Sequence, residues 1–352
     1  MIKNKIIEEI IKSKIGISLE KFINICLYDE NGYYNKLKSF GKSGDFTTAP
    51  EISQLFGEVL GVYIYFIWQQ KYNSNFNLIE LGAGNGTLLV DILRITKKFN
   101  NFHKNLNINI IEINKHLIDK QKKKLHSSSF KKVNFHWHKN FEKIKFLPSI
   151  IIANEFFDCF PIKQFQNING NWFEKFITYN KNDGIFSYKN ILVKNKIILN
   201  KLIKYKKEDF IEISEQRKKY FSKICSLLNK VKGTLIAIDY GYFNLPNKST
   251  IQTVYNNKYS NLFDNLGKQD ITSLVNFKEL IDIANKFDLK VDIFTTQQDF
   301  LIQNGILERK NIVIDKCEKK QKNDIESGLE RLINKKYMGN IFKFLIISNK
   351  NK

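Results

Sequence analysis

The segment FNLIELGAGNGTLLVDILRITKKF, residues 76–99, constrains this chain more than any other. A short apolar strand, FNLIEL, runs into a loop with glycine at every second position: Gly82, Gly84 and Gly86. A helical stripe follows at Leu88, Ile92, Ile95 and Phe99, spaced three and four residues apart. Lys97 and Lys98 close that helix, where cations suit the negative end of its dipole. Strand, glycine turn and helix in this order form the opening unit of a parallel α/β sheet.

The same rhythm recurs. NINIIEI (107–113) reads as a second strand ending in Glu112, followed by the lysine-rich helix NKHLIDKQKKKL. KVNFHWH alternates as a third strand, SIIIAN is a fourth, and TLIAIDYG (234–241) is a fifth with Asp239 at its tip. Residues 161–215 alternate like antiparallel strands around turns at Asn169–Gly170 and Asp183–Gly184. NFKELIDIANKF predicts a helix, and LKVDIFTT with NIFKFLIIS an antiparallel pair closing the sheet edge. The expectation is an α/β, Rossmann-like, mainly parallel sheet over 73–352, with a β-rich insertion at about 161–215 between strands four and five. Residues 1–72 read as helical around the loop GYYNKLKSFGKSGDFTTAPEIS.

Charge narrows the partners. The net charge of +22 suggests a polyanion, but all except four of the 57 basic residues are lysine. Surfaces that read phosphate favour arginine, whose planar fork grips oxygens bidentately. A Lys-, Asn- and Ile-rich chain reads more simply as drift toward AT-rich codons, so nucleic acid is not the expected partner. Cys26, Cys159, Cys225 and Cys317 form no CxxC pair, which argues against a zinc site or a disulfide framework. The longest apolar stretch, VLGVYIYFIW, is shorter than the ~20 residues a spanning helix needs and reads as a buried helix. The N-terminus resembles neither a signal nor a transit peptide, so a bacterial cytoplasm is expected. A eukaryotic host would imply the mitochondrial matrix.

The glycine loop has chemistry of its own. Its spacing is G-x-G-x-G, not the G-x-G-x-x-G that cradles a dinucleotide pyrophosphate. Glu80 sits two residues before the first glycine, and a carboxylate there meets a cation better than a phosphate. S-adenosylmethionine, with a sulfonium, an ammonium and a ribose but no phosphate, suits that requirement. Glu112, at the end of the next strand, stands where an acid accepts hydrogen bonds from ribose hydroxyls. A tight turn that needs glycine only for backbone geometry is the plainer alternative.

Residues 149–165, SIIIANEFFDCFPIKQF, deliver Asn154, Glu155 and Asp158 to the carboxyl end of the fourth strand. Ligands of open α/β sheets bind at that end. Glu155 and Asp158 are suited to holding a guanidinium or ammonium by charge-assisted hydrogen bonds. Asp158 is equally suited to capping the next segment, and Phe156 and Phe157 read best as core. His136 and His138 share one strand face, but without a third ligand nearby no metal is expected.

Several ordered blocks together resemble the MidA-like, complex I assembly family of S-adenosylmethionine-dependent methyltransferases. They are GYY (Gly32–Tyr34), GDFTTAPEISQLFGE (Gly44–Glu58), ELGAGNGTLLVDILR, NEFFDCFPIKQF, IDYG, DITSLVNF (Asp270–Phe277), TQQDFLIQNGI and MGNIFKFL, from about Ile17 to Ile347. The resemblance implies a class I methyltransferase fold with a helical N-terminal cap. It implies transfer of methyl groups to an arginine of a respiratory complex I core subunit, or its bacterial counterpart, during assembly. Glu80, Gly82, Gly84, Gly86 and Glu112 match the family's cofactor motifs, with Asn154 also assigned to the cofactor. Glu155 and Asp158 fall in the catalytic motif, and Asp45, Phe46, Pro50 and Glu51 in the N-terminal signature that faces donor or substrate. Asp270 and Thr272 fall in a further block. Ala83 and Asn85 stand where the family loop has proline and arginine, and Cys159–Phe160 replace a small residue and leucine. From residue types alone, Asp45 and Glu51 also suit a loop former and a first-turn helix acid. Two other functions fit parts of the sequence: a non-catalytic complex I assembly factor, and a nucleic-acid methyltransferase.

Overall fold

The computed structural model describes residues 1–37, 47–127, 130, 133–315 and 317–350. These fall into two compact units. One comprises Lys38–Phe157, Phe221–Gly241 and Glu279–Lys352, and the other Met1–Leu37, Asp158–Tyr220 and Tyr242–Lys278.

Among the described residues, the main path of the sheet in the unit that contains the glycine loop has seven strands: β1 (Phe76–Leu81), β2 (Leu106–Ile111), β3 (Asn134–His138), β4 (Ser149–Asn154), β5 (Thr234–Tyr242), β6 (Leu289–Thr296) and β7 (Phe342–Asn349). Their spatial order is β6-β7-β5-β4-β1-β2-β3. The five strands from β5 to β3 are parallel, whereas β7 runs antiparallel to both β5 and β6. The expected α/β sheet and its antiparallel closing pair are thus present. Strand order reverses between β1 and β4, which makes their carboxyl ends the topological switch point where such sheets take ligands. Leu81 pairs with Ala153 across that boundary, so Gly82 and Asn154 follow side by side.

Burial explains the unbroken apolar runs. β1 is buried at every position, and Ile150, Ile151, Ile152 and Ala153 of β4 have no exposed surface. A parallel strand covered on both faces has no solvent side for polar residues. Each such isoleucine contributes roughly 1.5–3 kcal/mol. β3 lies at the edge, and its alternation FHWH is accordingly half-exposed.

Six helices of this unit matter below: α1 (Ala49–Ile52), α2 (Gln54–Ile67), α3 (Thr87–Thr96), α4 (Lys115–Ser127), α5 (Ile306–Ile314) and α6 (Lys319–Ile333). Ser53 caps α2, its hydroxyl accepting the Leu55 N–H at 3.3 Å. Of the apolar stretch within α2, Val59, Leu60, Ile64 and Ile67 are buried, whereas Phe66 is half-exposed. Gly57 and Gly61 let α2 lie closely on α3: a Cβ on Gly57 would stand 2.5 Å from Asp91 Cβ. Among the described residues no helix is long and apolar enough to cross a membrane.

In the other unit, helices Ile2–Ser13 and Leu19–Tyr28 accompany an antiparallel sheet of Lys163–Ile168, Asn171–Asn180, Ile185–Leu192, Phe210–Ile213 and Ile17–Ser18. Asn169 and Gly170 both have positive φ (51° and 80°), the geometry of a tight hairpin turn. Phe165, Trp172, Val193, Leu202, Ile211 and Ile213 form its core. A three-stranded sheet over Gln252–Tyr255, Lys258–Tyr259 and Asp270–Thr272 was not expected from the sequence.

Candidate functional site

Glu80 is the penultimate residue of β1, only 3% exposed. Its Oε2 accepts no hydrogen bond from the described residues. Burial, and then the nearby Glu112 carboxylate, pushes its pKa up to about 8. After Leu81 the chain turns through Gly82, Gly84 and Gly86, with φ of 63°, 53° and 76°, a region that disfavours any side chain. Gly82 N–H donates to Ile111 O at 2.9 Å and Gly86 N–H to Ala83 O at 2.7 Å, and α3 starts at once.

Glu112 follows β2. Its Oε1 accepts the N–H groups of Ile113 (2.8 Å) and Asn114 (2.9 Å), and its Oε2 accepts Gln121 Nε2 at 3.3 Å. Burial raises its pKa, while those three donors oppose the rise. Asn114 Oδ1 then accepts from the N–H of His116 and of Leu117, starting α4. Gln121 itself has no exposed surface and was missed in the sequence. The available signal was its place on the helix stripe Leu117–Gln121–Leu125, a polar residue between two buried leucines.

At the tip of β4, Asn154, Glu155 and Phe156 are half-buried and Phe157 is fully buried. Glu155 has φ of 49°, an uncommon left-handed conformation for a glutamate. Its N–H donates to Ile238 O at 2.8 Å, and the N–H groups of Phe156 and Phe157 both donate to Asp239 Oδ2, at 3.1 and 2.8 Å. Asp239 therefore shapes this turn from within β5, which runs on to Tyr242 and does not end at the aspartate. Phe156 packs beside the glycine loop: a Cβ on Gly82 would meet its ring edge at 3.3 Å. Asn154 Nδ2 donates to Glu155 Oε1 at 3.4 Å, and its Oδ1 is buried without a partner among the described residues.

The short helix α1 connects both parts. The N–H of Ala49 donates to Glu155 Oε1 at 3.1 Å. Glu51 Oε1 accepts Asn85 Nδ2 at 3.2 Å, together with the Thr87 hydroxyl. Lys124 of α4 donates to that same hydroxyl at 2.5 Å. Pro50 is buried in the first turn of α1. The structure thus brings Glu80, the three glycines, Glu112, Asn154, Glu155 and Glu51 to the carboxyl ends of β1, β2 and β4.

Other predicted residues lie elsewhere. Asp45 and Phe46 are outside the described residues. Asp158 belongs to the other unit, 5% exposed, and its carbonyl accepts the Ser273 N–H at 3.0 Å. In that unit Asp270 Oδ1 accepts the Tyr34 hydroxyl at 2.8 Å, and Thr272 is buried on the same strand. His138 Nε2 lies 2.9 Å from Asn109 Oδ1, with the His136 ring 6.4 Å away.

The donor set suits S-adenosylmethionine. A buried carboxylate oxygen without a partner favours a cationic or hydrogen-bond-donating group. A loop of positive-φ glycines lets a ligand approach the backbone, and an acid after β2 is suited to a diol.

Comparisons with known proteins agree with this geometry. A family model described as "Putative S-adenosyl-L-methionine-dependent methyltransferase" matches residues 59–295. The mitochondrial protein arginine methyltransferase NDUFAF7 homolog of Caenorhabditis elegans is 28% identical over 324 residues, covering 84% of this chain and 75% of that protein. Human mitochondrial protein arginine methyltransferase NDUFAF7 is 26% identical over 360 residues, covering 96% and 81%. Among solved structures, a Burkholderia thailandensis protein bound to S-adenosyl-homocysteine superposes with a TM-score of 0.85 at 20% identity. That match covers 99% of this chain and 92% of the other.

Proposed function

We propose, for a chain that belongs to the S-adenosyl-L-methionine-dependent methyltransferase family matched over residues 59–295, that it methylates an arginine side chain of a protein substrate. The observation that carries this reading is the Glu155 carboxylate. It stands at the carboxyl end of β4, and the neighbouring Phe156 lies against the glycine loop. The relatives named protein arginine methyltransferase support the choice of acceptor.

When bound, S-adenosylmethionine supplies an electrophilic methyl group on a sulfonium. Glu80 and the loop Gly82–Gly86 would hold its charged end, Glu112 its ribose, and Asn154 the edge beside β4. Glu155 would pair with the incoming guanidinium, align one nitrogen, and accept the proton lost around the moment of transfer. Asp158 is proposed as a second acid. Asp45, Phe46 and Pro50 are proposed to face the substrate. Glu51, already hydrogen-bonded to Asn85 and Thr87, would fix the glycine loop. The proposed protein partner is a respiratory complex I core subunit or its bacterial counterpart. We place the reaction in a bacterial cytoplasm, or in the mitochondrial matrix of a eukaryotic host.

The test incubates pure protein, labelled donor and host lysate, and then maps the label by mass spectrometry. Methylarginine in one protein band is the expected result. Label in RNA, or donor binding without any transfer, would overturn the reading in favour of a nucleic-acid enzyme or a non-catalytic assembly factor.

A further inference from the structure

We propose that Gln121 is a positioning residue for the ribose end of the donor site, locking the Glu112 carboxylate and the glycine loop into one geometry. The inference rests on the reading that Glu112 receives the ribose.

All three polar functions of the Gln121 side chain are used. One N–H of its amide donates to Gly84 O at 2.8 Å and the other to Glu112 Oε2 at 3.3 Å, while its Oε1 accepts Trp137 Nε1 at 2.9 Å. The amide has only this orientation. A flip would set its oxygen against two acceptors and its NH2 against the indole N–H, which is a donor only. Trp137 on β3 therefore fixes the amide, and the amide fixes two other strands' loops. A leucine would continue the stripe between Leu117 and Leu125 without burying a polar group, so the glutamine is costly unless its bonds matter.

Two consequences reach the ligand side. Glu112 Oε1 already accepts two backbone N–H groups, whereas Oε2 accepts only the Gln121 donor among the hydrogen bonds described. A carboxylate oxygen has room for about two donors, so Oε2 is the one left to take a hydroxyl. In addition, the carbonyl of Gly84 is drawn toward Gln121. In a trans peptide the N–H of Asn85 then points the opposite way, which sets the outward face of the loop.

The experiment measures affinity by calorimetry for S-adenosylhomocysteine and for its 2′,3′-dideoxy analogue. Gln121→Met keeps the volume and removes the hydrogen bonds. It is expected to weaken S-adenosylhomocysteine by about tenfold, as loss of an orienting hydrogen bond does. The dideoxy analogue should be weakened less than S-adenosylhomocysteine, because it still meets the glycine loop but makes no ribose contact for Gln121 to organise. Equal weakening of both ligands, or of neither, would overturn the proposal. If Gln121→Met fails to fold, Trp137→Phe serves in its place, leaving the amide free to turn, with the same ribose-selective loss expected. Glu112→Gln separates the two readings. Undiminished affinity there, with wild type indifferent to the ribose hydroxyls, would sink the assignment of Glu112. A ribose-selective loss in Glu112→Gln with none in Gln121→Met would sink only the role of Gln121.

Discussion

Glu155 accepts the backbone N–H of Ala49 at 3.1 Å, which ties the acid at the end of β4 to the first residue of α1. A glutamine at position 155 can keep the accepting oxygen, while it loses the charge and turns the second oxygen into an NH2 donor. Glu155→Gln is therefore expected to bind S-adenosylhomocysteine within about threefold of wild type. Methyl transfer should fall by at least ~100-fold, the lower end for removing a positioned acid or base. Single-turnover kinetics with labelled donor checks this, and near-normal turnover would remove Glu155 from the proposed proton transfer.

Glu80 predicts an unusual pH dependence of stability. Its ordinary pKa of 4.5 is raised to about 8, first by burial and then by Glu112. Between those values the folded chain holds a proton that the unfolded chain has released. Its contribution is therefore complete below about pH 4.5 and is lost as pH rises through 8. The slope is on the order of 1.4 kcal/mol per pH unit for one such group. Glu80→Gln mimics the protonated form, so thermal melts should show a flatter profile than wild type between pH 5 and 8. Parallel profiles would mean that Glu80 is ionised in the fold.

The sheet was legible because its chemistry is local. A strand buried on both faces must be an apolar run, and β1, β4 and β5 read as such, whereas β3 at the edge showed itself by alternation. Glu80 and Glu112 were visible for the same reason, each being an acid where an apolar run stops. Gln121 was not visible, because its three partners, Gly84, Glu112 and Trp137, lie 37, 9 and 16 residues away in sequence. Asp239 was seen, but as a strand tip. Its bonds to Phe156 and Phe157 span 83 and 82 residues, and no local pattern encodes them. The helices between β6 and β7 were missed although α6 carries a helical stripe at Ile325, Leu329, Leu332 and Ile333 within its charged sequence.

Glu58 illustrates a buried charge that holds three helices. It is 2% exposed on α2, and its carboxylate takes Arg94 of α3 (3.1 Å) and Arg309 of α5 (2.8 Å). Removing one member of a fully buried pair costs about 3–5 kcal/mol. Here both arginines are part-exposed, 43% and 30%, and water can take up their charge. Glu58→Gln is accordingly expected to cost less, about 1–3 kcal/mol, in urea denaturation. A cost near zero would show that the arginines are satisfied without it.

Gly61 on α2 sets two general effects against each other. Alanine in a helix interior is favoured over glycine by about 1 kcal/mol, so propensity alone predicts that Gly61→Ala stabilises. The added methyl, however, would lie 2.6 Å from Ile95 Cγ2 and 3.0 Å from Ile92 Cα on α3. The second of these is backbone and cannot swing aside, so α2 and α3 must part and give up contacts along their length. Overpacking of that kind costs about 1–3 kcal/mol, which outweighs the gain. Gly61→Ala should therefore lower the urea midpoint with little change in the slope. Because α3 begins directly after Gly86, the displacement should also reach the donor loop, weakening S-adenosylhomocysteine severalfold. A variant that melts higher than wild type and binds unchanged would show that the close approach of these helices is not needed.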